Sequence, residues 1–203
     1  MRGELSRRAI VEAALAMIDR DGLEALSMRK LGRALGVEGM ALYHHFANKN
    51  ALIDAVVAAV APEPPAPTDD WQADLAALSY RYRDAVNAHP NLLPVLLSRP
   101  SHHEKAAATL EAQYSALQRA GLSGSALLDA HRTWGSFVIG YLVVEQQGRA
   151  ASAEWRPVAG SDTPVTASLD AFQAARDWDE QFAIGLHMQF DAIEALANPV
   201  DLG

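Results

Sequence analysis

Cationic side chains cluster in one stretch of the chain, where their type and spacing suit contact with phosphate. Arg29, Lys30, Arg33 and Lys49 lie in it, and no acidic residue follows Glu38 within it. Lysine and arginine neutralise phosphates and so supply sequence-independent affinity for nucleic acids. The stretch is therefore a candidate nucleic-acid contact surface.

Two short helices joined by a tight turn are needed to position these side chains. Ser27 is a favourable N-cap for the first helix, and Leu31 and Leu35 fall on one face of it. Gly36 supplies a left-handed residue at the turn, and a second helix is predicted over about 38–45. The pattern indicates a helix-turn-helix whose second helix enters a DNA groove.

The second predicted helix has a core-facing side and an outward side. Leu42 and Phe46, four residues apart, are expected to point inward. The residues predicted to point outward are Gly39, Met40, Tyr43 and His44. Gly39, Met40 and Ala41 cannot form bidentate hydrogen bonds to base edges. Direct readout would therefore depend on Arg29, His44 and apolar contact with thymine methyl groups.

Further helices flank the hairpin and argue against an ordinary helical hairpin in which Gly36 is only a stop signal. Ser6 and Gly22 can cap the preceding helix, and Asn48 can cap the following one. The helical period places two sets inward: Ile10, Ala13, Ala14, Met17 and Ile18, then Ala51, Leu52, Ala55, Val56 and Ala59. A three-helix core with a connector helix suits a DNA reader.

The net charge of −8 belongs to the later part of the chain. Residues 1–60 contain eight basic against seven acidic side chains, and residues 61–203 contain nine against eighteen. The N-terminal part can therefore meet DNA. The absence of cysteine excludes disulfides and thiolate chemistry. No apolar run is long enough for a bilayer span or signal peptide, so we expect a cytoplasmic protein without a membrane partner.

A proline-rich segment, residues 61–70, separates the two parts and is predicted to be a stiff spacer, because its four prolines remove donors and fix φ. Beyond it the apolar spacing predicts helices over about 71–88, 91–98, 102–119, 125–147, 167–177 and 179–197, with a loop over 148–166. Leu110, Val144 and Leu196 are among the residues expected to face inward. The predicted fold is all α, with domains 1–60 and 71–203.

Several motifs of the N-terminal part occur together: Ala9-Ile10-Val11, Gly22-Leu23, Leu26 to Leu31, Leu35-Gly36-Val37, Leu42 to Phe46 and Asn48 to Leu52. With them the first sixty residues resemble the DNA-binding domain of the tetracycline-repressor (TetR) family of bacterial regulators. The resemblance implies that Arg29 reaches a base or phosphate and that Tyr43 and Lys49 hold phosphates. The expected DNA-binding residues are Ser27, Arg29, Lys30, Gly39, Met40, Ala41, Tyr43, His44, His45 and Lys49.

The C-terminal part resembles the effector domain of the tetracycline-repressor subfamily. The motifs are Trp71-Gln72, Arg99-Pro100, Glu111-Ala112-Gln113, Gly121-Leu122-Ser123, Phe137 to Gly140 and Glu145-Gln146-Gln147. The resemblance implies a homodimer in which the long and last helices form a four-helix bundle with their mates. It also implies a small-molecule effector in each subunit, with Tyr82 and Gln113 at drug-contacting positions.

The chain departs from that subfamily at two pocket positions. Val95-Leu96-Leu97 stands where a magnesium-chelating histidine is expected, and Leu78 replaces a polar residue about one turn ahead of Tyr82. We therefore expect an effector that is more apolar than a magnesium-chelated tetracycline, and no metal or other cofactor. The expected ligand-binding residues are Tyr82, Arg99, Gln113, His131, Trp134, Phe137, Tyr141 and Glu145.

Other features of this part leave alternatives open. Glu145 within an apolar helix requires pairing with Arg99, contact with an effector, or a solvated helix end, because burying a lone carboxylate is costly. His131 is either a hydrogen-bonded core residue or a ligand contact, and Trp134, Phe137 and Tyr141 line either the core, the dimer interface or the pocket. His102-His103-Glu104 reads as a surface helix cap, since adjacent helical residues point about 100° apart and do not share one metal ion.

The order of DNA-binding domain, spacer and helical effector domain predicts a repressor. It would bind a palindromic operator in double-stranded DNA as a homodimer and be released by its effector. The alternatives are an enzyme built on a helical bundle, for which no catalytic constellation is found, and an adaptor that does not bind DNA.

Overall fold

The structure, a computed structural model, describes residues 5–98, 104–151, 164–169 and 177–198. The helices are α1 Arg7–Asp21, α2 Met28–Ala34, α3 Lys49–Val60, α4 Trp71–Ala88, α5 Leu93–Ser98, α6 Glu104–Arg119, α7 Gly124–Ala151, α8 Pro164–Ser168 and α9 Trp178–Ala197. Turns of 3-10 helix cover Leu23–Ala25, Gly39–His44 and Pro90–Leu92. These ranges contain no strand, which confirms the all-α prediction, and none of their helices is long and apolar enough to cross a membrane.

Side-chain caps fix the helix boundaries of the N-terminal part as the sequence predicted. The hydroxyl of Ser6 accepts a hydrogen bond from the Ala9 N–H at 3.2 Å, and Asn48 caps α3 through the Ala51 N–H at 2.9 Å. Gly22 ends α1 with φ +80°, a conformation that glycine adopts without steric cost. These contacts satisfy backbone donors and acceptors that a helix end leaves unpaired.

The core of the N-terminal part differs from the predicted set in α3. Leu52 and Val56 are buried as expected, but Ile53 and Val57 are buried with them, whereas Ala59 is exposed. The larger side chains take the core positions because they bury more apolar surface than alanine.

This core also includes residues from beyond the proline-rich segment. Leu92 and Val95 are each 1% exposed and belong to the same cluster as Ile10, Leu31 and Phe46. The segment itself is not helical, as predicted.

By internal contacts, the chain forms two compact units. Unit 1 comprises Met1–Thr68 and Ala73–Gln113, and unit 2 comprises Asp69–Gln72 and Tyr114–Gly203. The early part of the predicted effector domain therefore groups with the DNA-binding helices. This grouping by contacts is distinct from the predicted division at residues 61–70, which follows the prolines.

Unit 2 is built mainly on the packing of α7 against α9. Phe182, Leu186, Phe190 and Ile193 are buried on α9, and Trp134, Val138 and Leu142 on α7. Gly185 lies directly against Phe137, because a Cβ built on Gly185 would come 2.3 Å from the Phe137 Cζ. Gly185 therefore serves the packing of α9 against α7 within one chain.

Three predicted inward residues are exposed in the structure. Leu110 is 39% exposed, Val144 is 52% exposed and Leu196 is 45% exposed. Apolar spacing does not identify the buried face of these helices, because they carry apolar residues on more than one face.

Parts of the predicted loop are helical. α7 extends to Ala151, and α8, Pro164–Ser168, begins inside the predicted loop 148–166 and ends within the predicted helix 167–177. Most of the predicted helix 167–177, together with Arg99, Pro100, His102 and His103, lies outside the described residues.

Candidate nucleic-acid interface and effector site

The turn between α2 and the following 3-10 segment is built around two glycines. Gly36 has φ +70°, and the Val37 N–H returns to the Gly32 carbonyl at 2.9 Å. A Cβ on Gly32 would lie 2.8 Å from the Gly39 nitrogen, so the two backbones are in close contact. Only glycine at position 32 permits this approach.

We call Gly39–His44 the recognition segment. The sequence predicted a helix over about 38–45, and the structure winds this part as a 3-10 helix. Gly39 was expected to point outward, but its Cβ position faces α2, at 3.2 Å from the Arg29 Cα. Gly39 therefore allows the recognition segment to cross close to α2. Ala41 is half-buried.

The outer face of the recognition segment carries three accessible side chains. Met40 is 69% exposed, Tyr43 is 45% exposed, and His44 is exposed beside them. A thioether, a phenol and an imidazole can make apolar contacts and single hydrogen bonds, but none offers the bidentate fork of arginine or asparagine.

Cations border this face on both sides in sequence. Arg29 and Lys30 are exposed on α2, and Lys49 is the half-buried first residue of α3. The Ser27 hydroxyl accepts a hydrogen bond from the Lys30 N–H at 3.2 Å, so its observed task is to cap α2. Together the exposed groups form a cationic and aromatic surface suited to a phosphate backbone.

The sequence did not predict the contacts that Arg7 makes with His45 and Phe46. The Arg7 Nη1 donates to the carbonyl oxygen of the half-buried His45 at 2.6 Å, and its guanidinium carbon lies 4.1 Å from the centroid of the Phe46 ring. The available signal was the position of Arg7 directly after the Ser6 cap. That signal does not identify which distant element the side chain reaches.

Aromatic side chains of unit 2 form two groups along α7. The ring of His131 lies 4.8 Å from that of Tyr114 and 6.2 Å from that of Trp134, measured between centroids. Further along, Phe137 and Tyr141 pack on Phe182, and the Tyr141 hydroxyl donates to the Trp178 carbonyl at 2.6 Å. The second group therefore binds α7 to α9.

Two polar groups of the first aromatic group are removed from solvent: the Trp134 indole is buried and the His131 imidazole is half-buried. Trp134 is 3% exposed, and its Nε1 has no hydrogen-bond acceptor within the described part of the chain. Burial, followed by the charge of Arg132, lowers the pKa of the half-buried His131, so its imidazole is neutral at pH 7.

Glu145 has a different partner from those the sequence suggested. It is fully buried and accepts hydrogen bonds from Arg149 Nε at 3.0 Å and Nη2 at 2.8 Å. The expected solvated helix end is wrong, and the pairing with Arg99 lies outside the described residues. An arginine one turn along the same helix compensates the carboxylate.

The remaining expected ligand residues belong to unit 1. Tyr82 and Gln113 are half-buried, and burial raises the pKa of the Tyr82 phenol. Tyr82 is therefore a neutral hydrogen-bonding group at physiological pH.

Family models match nearly the whole chain. The model for bacterial regulatory proteins of the tetR family matches residues 10–56, and that for tetracyclin repressor-like C-terminal domains matches residues 63–197. Fold and surface thus define a helix-turn-helix transcriptional regulator. The chain belongs to the tetR family of bacterial regulatory proteins and carries its tetracycline-repressor-like C-terminal domain.

Individual relatives agree with this assignment. The class A tetracycline repressor protein from transposon 1721 of Escherichia coli is 32% identical over 206 residues, covering 94% of this chain and 91% of that protein. The HTH-type transcriptional repressor DrrR1 of Streptomyces coeruleorubidus is 31% identical, covering 92% and 76%. ActR of Streptomyces coelicolor, solved with actinorhodin, shares the fold with a TM-score of 0.81 at 24% identity, covering 97% of this chain and 100% of that one.

Proposed function

We propose that this regulator represses transcription as a homodimer on a palindromic operator and leaves the DNA when a small molecule binds. The observation that carries the proposal is the exposed face of Met40, Tyr43 and His44 between the cations Arg29 and Lys49. Operator DNA implies residence in the cytoplasm. The relatives are regulators, and we propose no enzymatic activity.

The outer faces of α7 and α9 support the homodimer. Leu128 and Ile139, eleven residues or about three turns apart, are exposed on α7, and Ile184 and Met188 are exposed one turn apart on α9. These apolar groups point away from the residues that bury α7 against α9. A second copy on this face would give a two-fold pair of recognition segments, and hence a palindromic site with centres about 34 Å apart.

The effector is proposed to be an apolar aromatic molecule that contacts the His131 and Trp134 group. The Trp134 N–H, which has no acceptor among the described residues, can donate a hydrogen bond to an uncharged ligand, and the neutral imidazole of His131 beside it adds no buried charge. Leu78 is buried, and Val95 belongs to the core of unit 1, so neither position offers a magnesium ligand. The tetracycline repressors among the relatives therefore do not identify the effector.

Release requires that the effector prefer a conformation that does not bind DNA. A shift from mostly bound to mostly free needs about 5 kcal/mol of differential affinity. We propose that the segment 89–100 transmits this preference, since its described part, residues 89–98, contacts α1 and the DNA-binding core directly. The His89 Nδ1 lies 2.9 Å from the Asp19 Oδ2, and Asn91 Nδ2 donates to the Ile18 and Asp19 carbonyls at 3.0 Å each.

The DNA-binding part is tested by selecting duplexes from a random pool with the wild-type protein. We expect a palindrome to be enriched and Arg29→Ala to bind it more weakly. If no duplex is enriched, the adaptor alternative stands and the repressor proposal is wrong.

The effector part is tested with Trp134→Phe and a panel of antibiotics and metabolites. Compounds that release wild-type protein from the selected duplex should release Trp134→Phe only at higher concentration, because phenylalanine lacks the indole N–H, with operator affinity without compound unchanged. Loss of DNA binding with intact compound affinity would assign Trp134 to the scaffold.

A further inference from the structure

Arg7 connects the start of α1 to the end of the recognition segment. The His45 carbonyl follows the last turn of that segment, where helical carbonyls have no partner within the helix. Arg7 Nη1 donates to this oxygen at 2.6 Å, while the guanidinium carbon lies over the Phe46 ring at 4.1 Å from its centroid. One side chain therefore makes both a directional hydrogen bond and a cation–π contact.

Both ends of this contact are anchored. The Ser6 cap fixes the first turn of α1, so the backbone of Arg7 is held in place. Phe46 is 2% exposed in the unit 1 core, so its ring offers a stationary platform. A planar guanidinium can serve both partners at once, whereas the ammonium of lysine is a point charge without that geometry.

The contact lies at the junction between two groups of DNA-facing residues. Tyr43 and His44 precede it, and Lys49 follows it at the start of α3. We propose that Arg7 is a positioning residue for operator recognition, which fixes the recognition segment relative to Lys49 by holding the His45 carbonyl and the Phe46 ring. This inference rests on the proposed DNA-binding surface.

A direct phosphate contact is the competing role for Arg7. The side chain is exposed, and an arginine has donors left after one hydrogen bond. The two roles differ in their salt dependence. Loss of a phosphate contact lowers the salt slope of binding by about one and weakens all DNA alike, whereas loss of positioning weakens the operator selectively.

The experiment compares Arg7→Gln and Arg7→Lys with the matched control Arg8→Gln. Arg8 is the neighbouring exposed cation, and its Nε donates to Glu12 on the same helix at 2.7 Å. Fluorescence anisotropy measures binding to the selected operator duplex and to a scrambled duplex of the same composition, across a salt series. Circular dichroism melting verifies that each protein is folded at the assay temperature.

We expect Arg7→Gln to lose about tenfold in operator affinity beyond Arg8→Gln, the scale of one charged hydrogen bond. Affinity for the scrambled duplex and the salt slope should match those of Arg8→Gln. Arg7→Lys should also lose operator affinity, because it keeps the charge but not the fork and plane.

Three results would overturn the proposal. They are full operator affinity in Arg7→Lys, a salt slope for Arg7→Gln about one lower than for Arg8→Gln, and equal operator affinity of Arg7→Gln and Arg8→Gln. A wild-type protein that does not distinguish operator from scrambled duplex would instead reject the DNA-binding surface itself.

Discussion

Met40 is the most exposed apolar side chain on the recognition segment. A thioether can pack against a thymine methyl, and Tyr43 and His44 beside it can each make one hydrogen bond. This set reads bases less strictly than a bidentate arginine or asparagine pair. Specificity then depends more on accurate placement of the segment, which its glycine crossing and capped neighbours provide.

Lys49→Ala tests the assignment of a single phosphate contact. We expect weaker binding to every duplex, with a salt slope lower by about one and an unchanged preference for the operator. Anisotropy titrations at several salt concentrations measure both quantities. Arg20→Ala is the control, because that cation is already paired with Asp21 at 2.7 Å. An unchanged slope in Lys49→Ala would remove this residue from the interface.

His131 makes the stability of the protein depend on pH. Burial lowers its pKa in the folded state below the ordinary value of about 6.5, so in that range the unfolded state binds the proton more readily. The free energy of unfolding should therefore decrease as the pH drops below about 6.5. His131→Phe should show a weaker decrease in urea denaturation at pH 5 to 7. Parallel curves for both proteins would contradict the assignment.

At the scale of elements, the sequence predicted boundaries better than faces. The N-terminal ends of three helices were predictable from the capping residues Ser6, Ser27 and Asn48, because capping is a local interaction between residues three apart. The buried side of α3 was predicted only in part, because most of its residues are apolar: Leu52 and Val56 are buried as expected, but Ile53 and Val57 are buried in addition. Arg7 with His45 is a contact across 38 residues, and local patterns carry no information about it.

The crossing of α2 and the recognition segment depends on Gly32. In Gly32→Ala the added methyl would meet the Gly39 nitrogen at 2.8 Å and the Val37 oxygen at 3.0 Å, and neither backbone group can move independently. We expect a loss of about 1–3 kcal/mol in unfolding free energy, with reduced operator affinity. Urea denaturation measures the loss. Gly36→Asn, where no atom lies within 4 Å of the Cβ position, should cost about 1 kcal/mol or less.

Gly185 has the corresponding role between α7 and α9. Gly185→Ala places a methyl against the Phe137 ring and should lower the unfolding free energy by about 1–3 kcal/mol. Phe137→Leu should restore part of that loss in the double variant, which identifies the clash. Gly140→Ala, with open space around its Cβ position in α7, should be neutral or stabilising by about 0.5–1 kcal/mol. Equal effects of the two alanine substitutions would contradict the packing role.

At the scale of the whole molecule, assembly determines whether two recognition segments act together. Met188→Glu places a carboxylate on the apolar outer face of α9, and burying it without a partner costs several kcal/mol. At micromolar concentration we expect the wild-type protein to sediment as a dimer and Met188→Glu to sediment as a monomer. Met188→Glu should also bind the operator much more weakly. Gln118→Glu on α6 adds the same charge at an exposed position and should remain dimeric. A monomeric wild type would refute the dimer.

The burial of Leu92 and Val95 determines which residues must be transferred when the DNA-binding part is joined to another effector domain. Both residues lie across the proline-rich segment from the helix-turn-helix, yet they complete the core that surrounds Leu31 and Phe46. A DNA-binding head excised at residue 60 would lack both side chains and leave apolar surface open to water. Modular grafting of this head onto another effector domain therefore has to carry α4 and α5 with it, and the transferable piece ends after Ser98 and not at the prolines.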